Sequence, residues 1–367
     1  MTIRRNLPAL PACVVALTLA GAPSVATPLR TDGAVTRQAD AERMTFALPS
    51  LSVAISRPGE ERLAATGLAN IDDKATATPR TIYRFGSITK PITAVAVLQL
   101  YERGRLDLDA PIQRYCPDFP VKAQPITARL LLGHQAGIRD YDYKRFREEF
   151  LSSTPYPSIA ASLSIFANDP LKFEPGSKFL YSSWGYVLLG CVVEGAARMR
   201  FQDYVSREIL RPARMTDTGF TEPSSRAATP YGRDGTGFKV SPTVDLSDRV
   251  AAGALRSTPR DLARFAQALM AGRLLRPATV ALMWTEGRTS DGRPTGYGLG
   301  WRISDGGAAV WHGGSSVGGS SFLLIHPREM AATAFATNVD LWTEGREQVG
   351  ARLLALPVGA SKVPQGR

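Results

Sequence analysis

Strand-like runs near both ends of the chain, with a helix-rich stretch between them, constrain the possible folds more than any other feature. Near the N-terminal end, LSVAISRPGEERLAATGLANI (51–71) alternates apolar and polar residues around Pro58-Gly59, which predicts a hairpin with one buried face. Near the other end, YGLGWRIS, AAVWHGGS, GSSFLLIHP and MAATAFATNV (297–339) are short runs split by Gly, Pro and Asp, as in an antiparallel meander. An isolated hairpin cannot cover its own apolar face, so the two blocks are expected to share one sheet.

Between them, Ile92 to Glu102 is an apolar-periodic helix closed by Gly104. The segments IAASLSIFANDP, WGYVLLGCVVEGAARM and FQDYVSREIL also read as helical. STPRDLARFAQALMAGRLL (257–275) opens with Ser257 or Thr258 as cap and Pro259 in the first turn, a further helix. The reading is an α/β (α+β) chain: a discontinuous sheet domain from 27–109 and 250–367, and a mostly helical domain over 110–249. At 367 residues, 44% hydrophobic, the chain can bury a large core and is not a disordered one.

Residues 1–26 read as a signal peptide, with Arg4 and Arg5, an apolar run from Val14 to Ala20, and a small-residue cleavage site at Ser24-Val25-Ala26. The expected location is periplasmic or secreted, with no integral membrane span. Cleavage after Ala26 is favoured over Ala22, and Leu10-Pro11-Ala12-Cys13 only imitates a lipoprotein box. Removing this segment takes the formal charge from +11 to +9, because Arg4 and Arg5 are its only charged side chains. The remaining basic residues are scattered in sequence without interleaved aromatics, which argues against a nucleic-acid partner and for a solvated face. No CxxC or His/Cys cluster is present, and His134, His312 and His326 lie far apart, so neither metal nor other cofactor is expected. An oxidising compartment would permit a Cys116–Cys191 disulfide. The apolar run around Cys191 reads instead as a site for a buried free thiol.

Three short motifs carry the chemistry. Ser87 and Lys90 are one helical turn apart, so the lysine amine can reach the serine hydroxyl and take its proton, provided burial or a neighbouring cation lowers its pKa. Tyr181 and Ser183 stand two apart at a helix entry and can aim two hydroxyls into one cleft. His312-Gly313-Gly314-Ser315 ends a strand whose glycines admit a substrate backbone and whose Ser315 N–H can donate to an oxyanion. Each motif alone has a plain alternative: a capped helix, a core tyrosine, a glycine turn.

Together, and in this order, Ser87-Ile-Thr-Lys90, Tyr181-Ser182-Ser183 and His312-Gly313-Gly314 resemble the three motifs of the penicillin-recognising serine hydrolases. LLGHQAGIRDY, FEPGSKFLYSSWGYVLLG, AAGALRSTPRDLARF and YGLGWRI extend the resemblance across about residues 50 to 345. It is strongest to the class C beta-lactamase and D-alanyl-D-alanine carboxypeptidase branch, and within that to the mitochondrial beta-lactamase-like serine proteases. The resemblance implies a beta-lactamase/transpeptidase-like fold, an antiparallel sheet flanked by helices, and acyl transfer through Ser87. Lys90 and Tyr181 would manage the protons, either being the acylation base. The N–H groups of Ser87 and Ser315 would hold the oxyanion.

Two departures bear on substrate. Ser183 replaces the usual asparagine that grips a substrate amide, and His312 replaces a lysine, so that a fixed positive charge is lost unless His312 is protonated. Both favour a peptidase or esterase over a beta-lactamase or D-alanyl-D-alanine carboxypeptidase. A non-hydrolytic relative that binds peptidoglycan or a partner is the remaining alternative. Gly314-Ser315-Ser316-Val317-Gly318 also fits G-x-S-x-G, but Ser316 is followed by a strand-like run, not the helix such an elbow requires. His134 is read as structural. Trp184, Tyr297 and Trp301 adjoin the motifs, with core packing as their expected role.

Overall fold

The computed structural model describes residues 31–221 and 225–357. The expected signal peptide, with Cys13, lies outside the described residues.

The hairpin is present as β1 (Ser50–Arg57) and β2 (Glu60–Asn70), edged by the short β3 (Ala75–Thr76). The C-terminal runs supply β4 (Arg302–Ser304), β5 (Ala309–Ser316), β6 (Gly319–His326) and β7 (Ala331–Thr337). All seven form one sheet in the order β3-β2-β1-β7-β6-β5-β4. The first and last segments meet where β1 runs antiparallel to β7, with Val53 opposite Phe335. YGLGWRIS joins the sheet only at its end. Tyr297 and Trp301 instead bury their rings in the interior.

The hairpin alternation predicted one buried face, and β1 is buried on both. Leu51, Val53 and Ile55 pack in a core with Val35 and Ala39 of α1 (Gly33–Thr45) and Val349 and Leu353 of α5 (Arg346–Leu354). The alternate positions are small and face the other layer: Ala54 meets Ala263 of α4 (Pro259–Met270), and Ser56 Oγ accepts from Gln267 Nε2 at 3.1 Å. Small side chains let the helix approach while satisfying the buried hydroxyls. α4 starts as its sequence predicts, Thr258 Oγ1 accepting from Asp261 N–H at 3.2 Å.

On the α4 side a large core joins α2 (Thr89–Glu102) to α3 (Ser183–Ala197), both apolar almost all round. FQDYVSREIL begins as helix Phe201–Val205 and continues as a wider turn over Ser206–Leu210. The stretch before Arg249 also holds a small hairpin, Tyr231–Asp234 with Gly237–Val240.

Cys116 and Cys191 form a disulfide, Cα–Cα 5.5 Å, which corrects the expectation of a free thiol. The apolar helix run around Cys191 did bury the sulfur, but it also met Cys116. Gly195 allows this, because a Cβ there would lie 1.7 Å from the Tyr115 carbonyl oxygen. Closing a separation of 75 residues should stabilise the fold by about 4 kcal/mol. Cys116→Ser/Cys191→Ser is therefore expected to melt well below the parent protein, and dithiothreitol to lower the parent towards the same value. Identical melting with and without reductant would show that the thiols are unpaired.

Candidate active site

Ser87 sits in the tight turn Gly86–Ile88 that leads into α2, half open to solvent, with Lys90 one turn on and wholly buried. Gly86 has φ +52°, and a Cβ on it would lie 2.3 Å from the Ser315 carbonyl oxygen. Gly314 is equally tight, since its Cβ would fall 1.9 Å from the Phe85 carbonyl oxygen. These two glycines bring the Ser87 turn and β5 together. β4 pairs with β5 only across Ala309–Trp311, so among the described residues the flank of β5 beyond His312 carries no neighbouring strand on that side. An extended substrate could add there, beside Ser87.

Lys90 Nζ lies 2.9 Å from Ser87 Oγ, 3.3 Å from Ser183 Oγ and 3.0 Å from the Ala252 carbonyl oxygen. Burial lowers its pKa to about 7; the nearby Asp140 carboxylate works against this and the Arg249 guanidinium for it. The amine is thus close to proton balance at neutral pH and within hydrogen-bond reach of Ser87. Tyr181 also bonds to Ser87, and Lys90 Nζ is 4.9 Å from the centre of its ring. Burial pushes the Tyr181 phenol above its ordinary value, the Ser87 contact only partly offsetting this, so it remains protonated at neutral pH.

The structure thus gathers Ser87, Lys90, Tyr181 and Ser183 into one cluster. Ser183 is the first residue of α3, and its buried hydroxyl faces Lys90 and bonds to Tyr141. Its N–H donates to Asp140 Oδ1 at 2.8 Å. Ser182 caps the helix, its Oγ accepting from Gly185 N–H at 2.9 Å and donating to the Arg139 carbonyl at 2.7 Å. His134 supports the same loop, as its structural reading expected. Its Nδ1 accepts from Ser182 N–H at 3.1 Å and its ring lies 4.3 Å from that of Tyr181.

His312 stands beside the cluster, its ring 6.2 Å from that of Tyr181, but its nitrogens are bonded elsewhere. Its Nε2 is 3.0 Å from Tyr297 Oη and its Nδ1 2.7 Å from the Gly313 carbonyl oxygen, a pairing that suits a neutral ring protonated on Nδ1. Burial and the Lys90 charge hold it well below its ordinary pKa. It therefore supplies no positive charge at neutral pH. Trp184 and Trp301 are fully buried core residues, whereas Tyr297 is also the partner that fixes His312. Ser316 lies inside β5 and turns directly into β6, so no nucleophile elbow exists there.

Three residues near the site carry no motif. Asp140 and Arg249 set the field at Lys90, although Asp140 does stand within the family-like LLGHQAGIRDY. Arg346, the first residue of α5, donates from Nη1 to the Gly314 carbonyl at 2.8 Å and to that of Ser321 at 3.1 Å. Its Nη2 occupies the space beside Gly313, 2.8 Å from where a Cβ would stand. Burial lowers its pKa to about 10, which leaves it charged at neutral pH, and among the described residues it has no carboxylate partner. No spacing in the sequence links Arg346 to His312-Gly313-Gly314.

A serine and a buried lysine at the head of a helix, set against the open flank of an antiparallel sheet, define the beta-lactamase/transpeptidase-like architecture of the beta-lactamase-related serine hydrolases. The chain belongs to the beta-lactamase family, whose model matches residues 36–356. It is 28% identical to the mitochondrial serine beta-lactamase-like protein LACTB of Mus musculus, over 79% of this chain and 72% of that protein. Its fold is similar to the octameric penicillin-binding protein homologue from Pyrococcus abyssi, with TM-score 0.76 and 26% identity over 88% of this chain and 76% of that one. It is similar also to the D-amino acid amidase from Ochrobactrum anthropi SV3 solved with L-phenylalanine amide, with TM-score 0.72 and 26% identity over 88% and 96% of the two chains.

Proposed function

We propose that this protein hydrolyses amide or ester bonds through an acyl-enzyme on Ser87, as a peptidase or esterase of the periplasm or exterior. The observation that carries this is the 2.9 Å approach of Ser87 Oγ to a lysine whose pKa burial lowers to about 7.

Neutral Lys90 takes the Ser87 proton as Oγ attacks the carbonyl carbon. The negative charge that develops on the carbonyl oxygen is held by the N–H groups of Ser87 and Ser315. Collapse expels the amine or alcohol, which leaves with the proton that Lys90 holds. Water then attacks the ester, its proton passing to Lys90 and from there to Ser87 Oγ as the acid is released, so that both residues return to their starting states. The lowered lysine and the raised Tyr181 phenol favour Lys90 as the acylation base. The disulfide suits an oxidising compartment.

The neutral His312 supports the peptidase or esterase reading over efficient beta-lactam hydrolysis. Arg346, at the start of α5, is a cation lying against this strand, and we assign it to a carboxylate on the substrate. Arg346→Met is expected to lower kcat/KM for a carboxylate-bearing ester by about tenfold relative to its neutral methyl ester. An equal loss on both esters would mean that Arg346 only supports the strand.

The hydrolase reading is tested by incubating the protein with a fluorophosphonate probe and mapping the modified peptide by mass spectrometry. Modification at Ser87 that disappears in Lys90→Ala is the expected result. A folded protein left unmodified at Ser87 would put the non-hydrolytic binding reading in its place.

A further inference from the structure

Basic residues that lie scattered in the sequence are gathered in one place by the fold. A cavity of about 640 Å³ is walled by Arg80, Arg211, Arg214, Arg260 and Arg264, and none of the residues clustered on Ser87 lines it. The five come from three parts of the chain. Arg80 precedes the short strand Tyr83–Arg84, Arg211 and Arg214 follow the turn Ser206–Leu210, and Arg260 and Arg264 stand one turn apart on α4.

Two of the five are neutralised and held. Arg260 pairs with Glu61 at 2.8 Å. Arg264 pairs with Asp261 at 3.2 Å and donates to the Arg214 carbonyl at 2.8 Å. The acid in the wall, Asp217, is already bound by Arg226 at 2.8 Å. Among the described residues Arg80, Arg211 and Arg214 have no carboxylate partner, and Arg80 Nε is shielded from solvent without a hydrogen-bond acceptor. A guanidinium cannot shed its proton to relieve this. Three like charges around one hollow repel one another unless an anion joins them.

The arrangement suits phosphate better than carboxylate. A phosphate monoester brings three acceptor oxygens and nearly two charges, and a phosphodiester headgroup two oxygens and one charge; set tetrahedrally, these can take N–H bonds from guanidiniums that do not share a plane, whereas a carboxylate offers one planar edge. The volume lies in the range of small-molecule sites, so room remains for a group attached to the phosphate. A second hollow of about 370 Å³ shares Arg214 and Arg264 but is walled by Glu60 and Glu61 as well as Arg57 and Arg273, so the excess of positive charge belongs to the first. We infer that this arginine-walled cavity is a binding site for a phosphate-bearing ligand, separate from the hydrolytic cleft.

The source of the phosphate is either a free phosphorylated small molecule or a phospholipid headgroup, and two arms of one experiment separate them. Inorganic pyrophosphate is titrated calorimetrically into the full chain at fixed ionic strength. In parallel, co-sedimentation is measured with vesicles of phosphatidylglycerol and of phosphatidylcholine. R80Q/R211Q/R214Q removes the unpaired charges, and R105Q/R147Q/R328Q removes as many from exposed positions elsewhere. The cavity variant is expected to weaken binding at least about tenfold, the control less than about twofold, with ester hydrolysis unchanged in both. R211Q alone, at an exposed position that folding does not depend on, is expected to weaken binding about threefold. Pyrophosphate binding points to a free ligand; binding only to phosphatidylglycerol vesicles points to a headgroup. Equal losses in the cavity and control variants, or no binding of the parent protein to either probe, would overturn the site.

Discussion

Ser87→Ala is expected to lower kcat for any amide or ester substrate by at least about 10⁴-fold and to abolish fluorophosphonate labelling, while the fold is kept. The side chain is half exposed at a turn whose geometry is set by Gly86 and Phe85, so removing its hydroxyl leaves the α2 entry and the β5 contact in place. What is lost is the attacking oxygen, together with one partner each of Lys90 and Tyr181. Circular dichroism and melting temperature serve as the control. A folded Ser87→Ala protein that still turns over substrate would remove Ser87 as the nucleophile.

Lys90→Met should separate activity from stability. The folded chain holds Lys90 with a pKa of about 7 against an ordinary 10.5, so between these values the unfolded chain binds the additional proton. Burial of the amine therefore costs nothing above about pH 10.5, costs more as pH falls, and levels off below about 7. At neutral pH the cost is on the order of 4 kcal/mol. Methionine fills a similar volume without a charge, but it forfeits the bonds to Ser87, Ser183 and the Ala252 carbonyl. The net gain expected at pH 7 is about 2 kcal/mol, shrinking towards pH 10, with a loss of about 10³-fold in kcat/KM. In the parent protein kcat/KM should rise with pH through about 7 as Lys90 loses its proton. A variant less stable at pH 7, by an amount that does not change with pH, would show that Lys90 enters the fold with an ordinary pKa.

Such a lysine shows why the two levels of reading differ. Its position relative to Ser87 follows from helical geometry, and the spacing of the two residues already states it. Its proton affinity is set first by burial and then by Asp140 and Arg249, which reach it from segments 50 and about 160 residues away. The same division runs through the fold. The β1–β2 hairpin, the α4 helix with its Thr258 cap and the C-terminal meander are local patterns, and they stand where alternation, capping and turn residues put them. Helices α1 and α5 are short of local signal, since their apolar residues are few and become meaningful only when Val35, Ala39, Val349 and Leu353 meet the far face of the sheet. Cys116 and Cys191 illustrate the limit from the other side: local burial was readable, while partnership required two distant backbones to touch at Gly195.

The sequence by itself determined the β1–β2 hairpin, the α2 and α4 helices, the C-terminal meander, and the identity and spacing of Ser87, Lys90, Tyr181 and the glycines of β5. Those features are set by periodicity and by residue chemistry within a few positions of each other. Only the tertiary structure decided that His312 is neutral and turned to Tyr297, that Arg346 supplies the remaining cation beside Gly313, and that scattered arginines wall one cavity. Charge and proton affinity depend on what surrounds a group in space and on how much water reaches it. Those neighbours are chosen by packing over long sequence distances, which no local pattern records.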